Sequence, residues 1–235
     1  MSALPVPLLR CFDLDGCLVE SDAAIADGLH HALRLVGLPQ PDAATTRAAI
    51  GPPLITTIGS LLRAAGVDPS SGEGAATLSA AVSAYRARYE EVGFDLTRPV
   101  DGIVALLERL QGLHGSTVVV TAKPAAVAEP LLVHVGLRDA FAAVHGAPMG
   151  PEVEEKRVTL ARALAEASVD PADAVMVGDR SHDVVAGRAC GTRTVGVLWG
   201  AGDRDELERA GADLVVARPD ELDAALVSSG SAAGR

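Results

Sequence analysis

The half of the chain that follows Pro99 alternates short Val-rich segments with helical patterns, and this alternation limits the available folds more than any other feature. Short apolar segments of this kind are typical of strands buried on both faces. Strands that alternate with helices are joined by right-handed crossovers, which set them parallel in one sheet with helices on both sides. The sequence therefore predicts an α/β fold built on a doubly wound, Rossmann-like parallel sheet. The predicted strands cover residues 116–121, 141–145, 174–177, 192–198 and 214–216, and the predicted helices cover 103–113, 124–135, 154–167, 184–190, 206–210 and 221–227.

A first strand is predicted far upstream of this region, at the apolar run Leu8–Phe12. The residues between it and the alternating region show only the helical spacing of apolar side chains. We therefore predict an α/β core domain from residues 1–19 and 98–235, with an all-helical cap domain, residues 20–97, inserted into it. Residues 228–235 are small and polar, which predicts a disordered tail. The predicted cap helices cover residues 21–36, 42–50, 54–65 and 74–91.

The composition narrows the classes of function. Apolar residues make up 49% of the chain and aromatic residues 3%, so the core must be aliphatic. The formal net charge of −11 repels phosphate backbones and anionic lipids, which argues against nucleic-acid and membrane partners. A small phosphorylated metabolite suits the chain if a local cluster of cations holds its phosphate. Both a monomer and a homodimer stay open.

The cysteines and the lack of long apolar segments bear on the compartment. Cys11, Cys17 and Cys190 are odd in number and lack metal-ligand spacing, which favours a reducing compartment over a disulfide framework. Charged residues come before any long apolar run at the N-terminus, unlike in a signal peptide. No stretch reaches the roughly 20 apolar residues that a membrane-spanning helix needs. We therefore expect a cytoplasmic protein.

Two carboxylates end the first predicted strand. Alternate residues of a strand share a face, so Asp13 and Asp15 point the same way if the strand continues. Gly16 then allows a sharp turn. Open α/β sheets bind their ligands at the carboxyl ends of their strands. Crowded carboxylates repel one another unless a cation or a proton lies between them. The pattern predicts a metal-assisted site in which one carboxylate is a nucleophile.

A second acidic strand end follows the apolar segment 175–177. Asp179 is predicted to reach the same edge of the sheet. Asp183, four residues on, is predicted to lie next to the metal ligands without binding the metal itself. Oxygen ligands from Asp13 and Asp179, with a backbone carbonyl near Asp15 and water, suit octahedral Mg²⁺. The alternative is a turn in which Asp179 only caps the next helix. The acidic pair at the first strand end weakens that alternative.

Thr121 and Lys156 are candidate anion ligands. Pro124 suits the first position of a helix, which places Thr121 beside a helix N-terminus, where free N–H groups attract an anion. The alternative is that Thr121 only caps the helix. Lys156 is predicted early in a helix, where the dipole favours acids, and this mismatch indicates a lysine that binds a phosphate and a metal-bound carboxylate. The alternatives are a solvated Lys156 paired with a glutamate, or the same role for Arg157.

These motifs occur together in one known family. Taken in this order around a helical insert, they resemble the haloacid dehalogenase superfamily of phosphohydrolases, and its phosphoglycolate phosphatase-like branch with a helical cap in particular. The resemblance covers nearly the whole chain. Cys17 departs from it, because the family usually has threonine there. The motifs that carry the resemblance are Asp13-Leu14-Asp15-Gly16, Thr121, Lys156 and Gly178-Asp179-Arg180-Ser181-His182-Asp183.

The resemblance implies a mechanism. Asp13 attacks phosphorus and becomes an aspartyl phosphate, while Asp15 protonates the leaving oxygen and later activates water. Mg²⁺, bound by Asp13, Asp15 and Asp179, shields the nucleophile from the charge of the phosphate. The implied phosphate ligands are Gly16, Thr121, Ala122 and Lys156. The implied substrate contacts at the mouth are Arg47, Gly51, Pro52 and Lys123. The alternative for Arg47 is a position on a solvated helix face.

Three functions compete at this stage. The leading interpretation is a Mg²⁺-dependent phosphatase that acts on phosphoglycolate, a nucleotide or other ribosyl 5′-phosphate, or a phosphorylated pathway intermediate. The second is a phosphotransferase that uses the same aspartyl phosphate, either a sugar-phosphate mutase or a protein tyrosine kinase. Exclusion of water by the cap decides between hydrolysis and transfer. The third is a non-catalytic binding module, which the intact acidic set disfavours because crowded, uncompensated carboxylates are costly.

Overall fold

The computed structural model of the chain describes residues 6–150 and 152–227, so the predicted tail at 228–235 lies outside the described residues. The described strands, numbered along the chain, are β1 (Leu9–Phe12), β2 (Val19–Glu20), β3 (Arg98–Pro99), β4 (Ser116–Pro124), β5 (Ala143–Ala147), β6 (Ala174–Gly178), β7 (Arg193–Val197) and β8 (Leu214–Val216). Six strands form one sheet in the order β5-β4-β1-β6-β7-β8, and every neighbouring pair is parallel. The predicted α/β fold with a doubly wound parallel sheet is confirmed.

Helices cover both faces of the sheet and form the segment between β2 and β3. Helix bounds, again in chain order, are α1 (Asp22–Leu35), α2 (Ala43–Ala48), α3 (Leu54–Ala64), α4 (Gly72–Arg88), α5 (Ile103–Gln111), α6 (Ala125–His134), α7 (Lys156–Ala167), α8 (Ser181–Cys190), α9 (Arg204–Ala210) and α10 (Pro219–Val227). Helix α4 continues into a π-helical turn at Tyr89–Gly93. Short 3₁₀ turns lie at Arg138–Ala140 and Pro171–Asp173.

Both faces of the central strand β1 are buried, which explains why its sequence is almost continuously apolar. Leu9 and Cys11 pack with α7 and α8 on one side, and Phe12 packs with α5 and α10 on the other. Arg10 is the one charged residue of this strand, and its side chain is also fully buried. Its guanidinium donates to the Thr117 hydroxyl at 3.3 Å, which ties β1 to β4.

Helices α1 to α4 enclose an apolar cluster of their own, separate from the two clusters beside the sheet. The chain enters and leaves this helical insert through β2 and β3, which pair antiparallel. An ion pair between Arg98 and Glu20, 2.6 Å long, joins the two strands. The sequence pattern does not predict this ribbon, because strands of two residues show no alternation.

The boundary between β4 and α6 differs from the predicted one. The strand runs on to Pro124, with a register irregularity between Thr121 and Pro124, and the helix starts at Ala125. Pro124 has extended dihedrals, φ −56° and ψ 135°. The prediction that Thr121 stands beside a helix N-terminus is therefore wrong: Thr121 is a strand residue.

Helix α8 starts at Ser181 rather than at residue 184. The carboxylate of Asp183 accepts the backbone N–H of Arg180 at 3.1 Å and so satisfies a free donor of the first turn. Helix α7 starts at Lys156 rather than at residue 154. The first shift brings Asp183 into the first turn of its helix, and the second makes Lys156 the first residue of its helix.

Candidate active site

The central strands of the sheet bring the predicted site residues to one edge. Strand β1 lies between β4 and β6. Asp13 follows β1, Thr121 lies near the end of β4, and Asp179 follows β6. Parallel strands end at the same edge, so the topology alone gathers these three residues. All three side chains are buried, with at most 2% exposed.

Lys156 is the cation closest to Asp13 in this cluster. Its Nζ lies 2.8 Å from Asp13 Oδ1 and 2.5 Å from Asp183 Oδ1. Burial lowers the pKa of Lys156, but Asp13 and Asp183 outweigh burial and raise the pKa above its ordinary value. Lys156 is therefore a buried, charged partner of these two carboxylates and not a solvated lysine. The neighbouring Arg157 pairs instead with Glu155 at the surface.

The carboxylates of Asp13, Asp179 and Asp183 form a compact acidic cluster. Each places one oxygen within 4.8 Å of the others. Burial raises the pKa of Asp13 to about 7, although Lys156 opposes the shift, and Asp183 adds to it. Burial and the other two carboxylates raise the pKa of Asp179 to about 8. The cluster therefore requires a cation or protons at neutral pH.

One oxygen of the cluster has no hydrogen-bond partner. Asp179 Oδ2 accepts the backbone N–H of Ala201 at 2.7 Å. Asp179 Oδ1 is buried and has no partner among the described residues. Three carboxylates and the charged Lys156 sum to −2 when all are ionised, which a divalent cation would neutralise. A hard cation such as Mg²⁺ therefore fits this donor set.

Glycines make room for the acidic cluster. Gly16 has a φ of +79°, and a Cβ added there would lie 2.4 Å from Asp179 Oδ2. A Cβ added at Gly178 would lie 2.1 Å from Asp183 Cγ. Real Cβ atoms do not approach other atoms so closely, so both positions require glycine. The turn after Asp15 and the end of β6 are thus shaped around the carboxylates.

The side chain of Asp15 has a different partner from the acidic cluster. Lys123 Nζ donates to Asp15 Oδ1 and to the hydroxyl oxygen of Tyr89, both at 2.8 Å. It also lies 4.4 Å from the centroid of the Tyr89 ring. Asp15 and Lys123 belong to the α/β part of the chain, whereas Tyr89 lies in the π-helical turn of the insert. The structure therefore places Lys123 against Asp15, where the sequence predicted a contact with substrate.

Thr121 and Ala122 line the cavity beside Asp13. Thr121 Oγ1 accepts the backbone N–H of Lys123 at 3.1 Å. This leaves the hydroxyl hydrogen of Thr121 for another acceptor. The hydrogen bond from Lys123 N–H thus fixes the Thr121 side chain at the cavity, even though no helix starts there.

The thiol of Cys17 is accommodated where relatives of the predicted family usually carry a hydroxyl. Its Sγ donates to the carbonyl oxygen of Val177 at 3.8 Å, and Asp13 N–H donates to the same oxygen at 2.9 Å. Burial raises the pKa of Cys17 well above its ordinary value, so the group is a neutral thiol. Trp199 donates its indole N–H to the Cys17 carbonyl oxygen at 2.9 Å and supports the turn from outside.

A cavity of about 130 Å³ lies between the edge of the sheet and the helical insert. Gly51 and Pro52, predicted to face the site, line it, as do Asp13 and Asp15. Arg47, also predicted as a substrate contact, is not among the described residues that line it. Its guanidinium donates instead to two backbone carbonyl oxygens, at 2.5 Å to residue 200 and at 3.1 Å to residue 201. Arg47 therefore links the insert to the α/β part of the chain.

Two contacts of the site have little signal in the sequence. Tyr89 lies four residues after Tyr85, a helical spacing that predicts packing, and the two rings do stack with centroids 5.8 Å apart. Nothing in that spacing indicates a hydroxyl aimed at Lys123. Ala201 contributes only its backbone N–H to Asp179, so its residue type carries no information. The lysine two residues after Thr121 was the one available signal for the Asp15 partner.

A model of the haloacid dehalogenase-like hydrolase family matches residues 11–197. The chain belongs to this family. The match spans the acidic strand ends, the helical insert and Lys156, so the predicted family is confirmed.

Curated relatives and solved structures agree with this membership. The chain is 37% identical over 222 residues to the tyrosine-protein kinase PtkA of Mycobacterium tuberculosis, covering 94% of this chain and 72% of that protein. It is 32% identical over 206 residues to the phosphoglycolate phosphatase of Chromobacterium violaceum, covering 87% and 90%. The structure of a predicted phosphatase from Clostridium acetobutylicum superposes with a TM-score of 0.85 at 28% identity, covering 97% of this chain and 100% of that one.

Within the described residues, no helix has the length and apolarity needed to cross a lipid bilayer.

Proposed function

We propose that this phosphatase hydrolyses a small phosphate monoester through an aspartyl phosphate on Asp13, with Mg²⁺ as its cofactor. The observation that carries the proposal is the buried cluster of three carboxylates, two of which contact Lys156, with one orphaned oxygen on Asp179. Such a cluster is stable in its ionised form only beside a cation. One of its members, Asp13, is the carboxylate best placed to attack.

The first step transfers the phosphoryl group to Asp13. A carboxylate oxygen of Asp13 forms a bond to phosphorus, and the bond from phosphorus to the ester oxygen breaks. Asp15 gives its proton to that departing oxygen, which leaves as an alcohol. The ammonium of Lys156 and the hydroxyl of Thr121 donate to the equatorial phosphoryl oxygens, where charge spreads in the transition state.

The second step releases phosphate from Asp13. The ionised Asp15 takes a proton from a water molecule, whose oxygen attacks phosphorus and breaks the bond to Asp13. Lys123 donates to Asp15 and so holds this carboxylate near the reacting atoms. Inorganic phosphate leaves, and Asp15 is protonated again for the next substrate.

The residues that would hold Mg²⁺ are Asp13 and Asp179, with Asp183 behind them and the backbone carbonyl of Asp15 as a further oxygen ligand. When bound, the ion neutralises charge between the nucleophile and the incoming phosphate. Lys156 Nζ lies 2.8 Å from Asp13 Oδ1 and also stabilises this carboxylate. The chain therefore supplies one positive charge against the three carboxylates of the cluster, which leaves a net negative charge when all are ionised.

Release of phosphate from p-nitrophenyl phosphate in the presence of Mg²⁺ tests this proposal. We expect Asp13→Asn to lower kcat by at least about 10³-fold, because the amide is not a nucleophile. Asp101→Asn, an exposed aspartate outside the site, is the matched control and should keep full activity. Full activity of Asp13→Asn, or no Mg²⁺-dependent release by the unchanged chain, would contradict the proposal.

The similarity to PtkA favours a second candidate function, transfer of the phosphoryl group from Asp13 to a tyrosine hydroxyl. Both functions share the aspartyl phosphate and differ only in the acceptor. Incubation with a labelled phosphate donor and a tyrosine-containing peptide separates them. Label on the peptide would support transfer, whereas label in free phosphate alone would support hydrolysis.

A further inference from the structure

The cavity has two walls of contrasting chemistry. The polar side chains Asp13, Asp15 and Thr121 lie on the wall formed by the edge of the sheet. The facing wall, which the helical insert supplies, is mainly apolar, although Arg86 and Glu90 also line it. Its main side chains are Ile25, Leu29, Leu54, Ile55, Tyr85 and Tyr89. We call these six residues the cap wall.

The cap wall lies where the leaving group of a substrate must go. When phosphorus is next to Asp13 and the ester oxygen faces Asp15, the remainder of the substrate extends away from the sheet. Leu29 is fully buried, and Ile25 and Tyr85 are less than one-tenth exposed, so this wall is a firm surface rather than loose side chains. A polar leaving group would lose hydration against such a wall without regaining hydrogen bonds.

The charges around the cavity disfavour a second anionic group on the substrate. Lys123 also lines it but is already paired with Asp15. Glu154 is likewise paired, with Arg162 at 2.8 Å. The other charged lining residues, apart from those that act on phosphorus, are Glu90, Glu152 and Arg86. Among the described residues, the mouth is therefore lined by two further carboxylates and one guanidinium. The formal net charge of the whole chain is −11.

Building on the proposed phosphatase function, we propose that the cap wall selects a monophosphate ester whose leaving group is uncharged and has an apolar body. Burial of that body against the cap wall supplies the binding free energy, because apolar area is removed from water. A leaving group with a carboxylate, as in phosphoglycolate, meets the same apolar surface and a mouth with excess negative charge. The preference is therefore for the apolar ester.

Three alkyl phosphates test this proposal without changing the bond that breaks: benzyl phosphate, ethyl phosphate and phosphoglycolate. We expect kcat/KM with Mg²⁺ to be at least about tenfold higher for benzyl phosphate than for phosphoglycolate. Ethyl phosphate, which has no body to bury, should fall below benzyl phosphate by a similar factor.

Two matched variants of helix α3 locate the effect. Ile55→Asn places an amide in the cap wall, and it should lower kcat/KM for benzyl phosphate about tenfold with little change for ethyl phosphate. Leu61→Asn, at an equally half-buried position of the same helix outside the cavity, should change neither. The Mg²⁺-induced rise in melting temperature reports whether each variant is folded.

The opposite preference would overturn the proposal. If phosphoglycolate is the best of the three esters and Arg86→Gln removes its advantage, the mouth recognises a second anion and the cap wall does not select the substrate. Equal loss of ethyl and benzyl ester hydrolysis in Ile55→Asn would also overturn it. If none of the three esters is hydrolysed although p-nitrophenyl phosphate is, this inference fails and the phosphatase proposal stands. If p-nitrophenyl phosphate is not hydrolysed either, while Mg²⁺ still raises the melting temperature, both fail.

Discussion

Asp15 has two tasks in the proposed mechanism, and substrates with different leaving groups separate them. A poor leaving group needs the proton of Asp15 in the first step, whereas p-nitrophenolate leaves unaided. Both kinds of substrate need Asp15 as the base in the second step. Lys123 Nζ lies 2.8 Å from its carboxylate, so an amide at this position would keep a similar contact.

We therefore predict that Asp15→Asn gives a burst of p-nitrophenolate and then stops. The burst should equal the amount of enzyme, because each molecule transfers one phosphoryl group to Asp13 and cannot release it. Mass spectrometry of the quenched protein should find one added phosphoryl group on the peptide that contains Asp13. Steady turnover at more than about one-tenth of the unchanged rate would contradict the assigned role of Asp15.

The raised pKa values of Asp13 and Asp179 predict how stability depends on pH without metal. The ordinary pKa of both groups is 3.8, and their pKa values in the folded chain are about 7 and about 8. At pH values between the ordinary and the raised pKa, the folded chain therefore binds more protons than the unfolded chain. The stability that these protons provide is complete below about pH 4 and is lost as pH rises through 7 and 8. In EDTA, the free energy of unfolding should therefore fall between pH 7 and 8.

Urea titrations across this window measure the effect. Burial lowers the pKa of His145 and of His182, which gives the opposite slope, but that slope lies mostly below pH 7. Asp179→Asn should flatten the curve in EDTA, because one titrating carboxylate is gone. Mg²⁺ binds the ionised cluster, so the stabilisation it provides should grow with pH across the same window. A stability that rises from pH 7 to 8 in EDTA would contradict this account.

The π-helical turn at the end of α4 joins the insert to Asp15, the proposed general acid. Tyr89, in this turn, accepts a hydrogen bond from Lys123, which also contacts Asp15. We predict that Lys123→Met lowers kcat by about 10²-fold with a small change in KM, because Asp15 loses a buried charged partner. Tyr89→Phe removes only one bond to a charged donor and should cost about tenfold.

Lys123→Arg is the complementary test of the contact between Lys123 and Asp15. It keeps the charge next to Asp15 and should recover part of the kcat that Lys123→Met loses. A loss confined to KM, with kcat unchanged in all three variants, would instead support the direct substrate contact that the sequence predicted for Lys123. Steady-state kinetics with two different esters distinguish the two outcomes.

The strands and helices of this chain could be predicted because burial leaves a periodic pattern. The apolar runs that form β1, β4 and β6 are buried on both faces, and because these strands are parallel, the residues that follow them meet at one edge. The two-residue strands β2 and β3 carry no such pattern. The extension of β4 to Pro124 has no signal in the sequence, because a proline after a strand is equally suited to begin a helix.

The acidic residues at the strand ends can be predicted from the sequence, whereas their hydrogen-bond partners cannot. Asp13, Asp15 and Asp179 stand at the ends of apolar runs, so topology alone gathers them. Tyr89 reaches Lys123 only through the packing of the insert on the sheet, which no local pattern encodes. The backbone contact from residue 201 to Asp179 is invisible for the same reason, because any residue type supplies an N–H.

The helical insert and the acidic cluster are held together by one continuous set of contacts. Arg47 of the insert donates to the carbonyl oxygens of residues 200 and 201, and Ala201 N–H donates to Asp179. Arg180, next to Asp179, donates to the Ile50 carbonyl oxygen of the insert. Docking of the insert and positioning of Asp179, a proposed metal ligand, therefore depend on the same two segments of the α/β part.

Two equilibria that share contacts influence each other equally in both directions. We therefore predict that Arg47→Ala, although it lies outside the cavity, weakens Mg²⁺ binding about two- to fivefold, as the loss of about one hydrogen bond would. Mg²⁺ should in turn slow proteolytic cleavage of residues 36–42 and 66–71 in the insert, and the protection should shrink in Arg47→Ala. Arg34→Ala, an exposed arginine on α1, is the matched control. Unchanged Mg²⁺ affinity in Arg47→Ala, measured by calorimetry, would show that the insert and the acidic cluster respond independently.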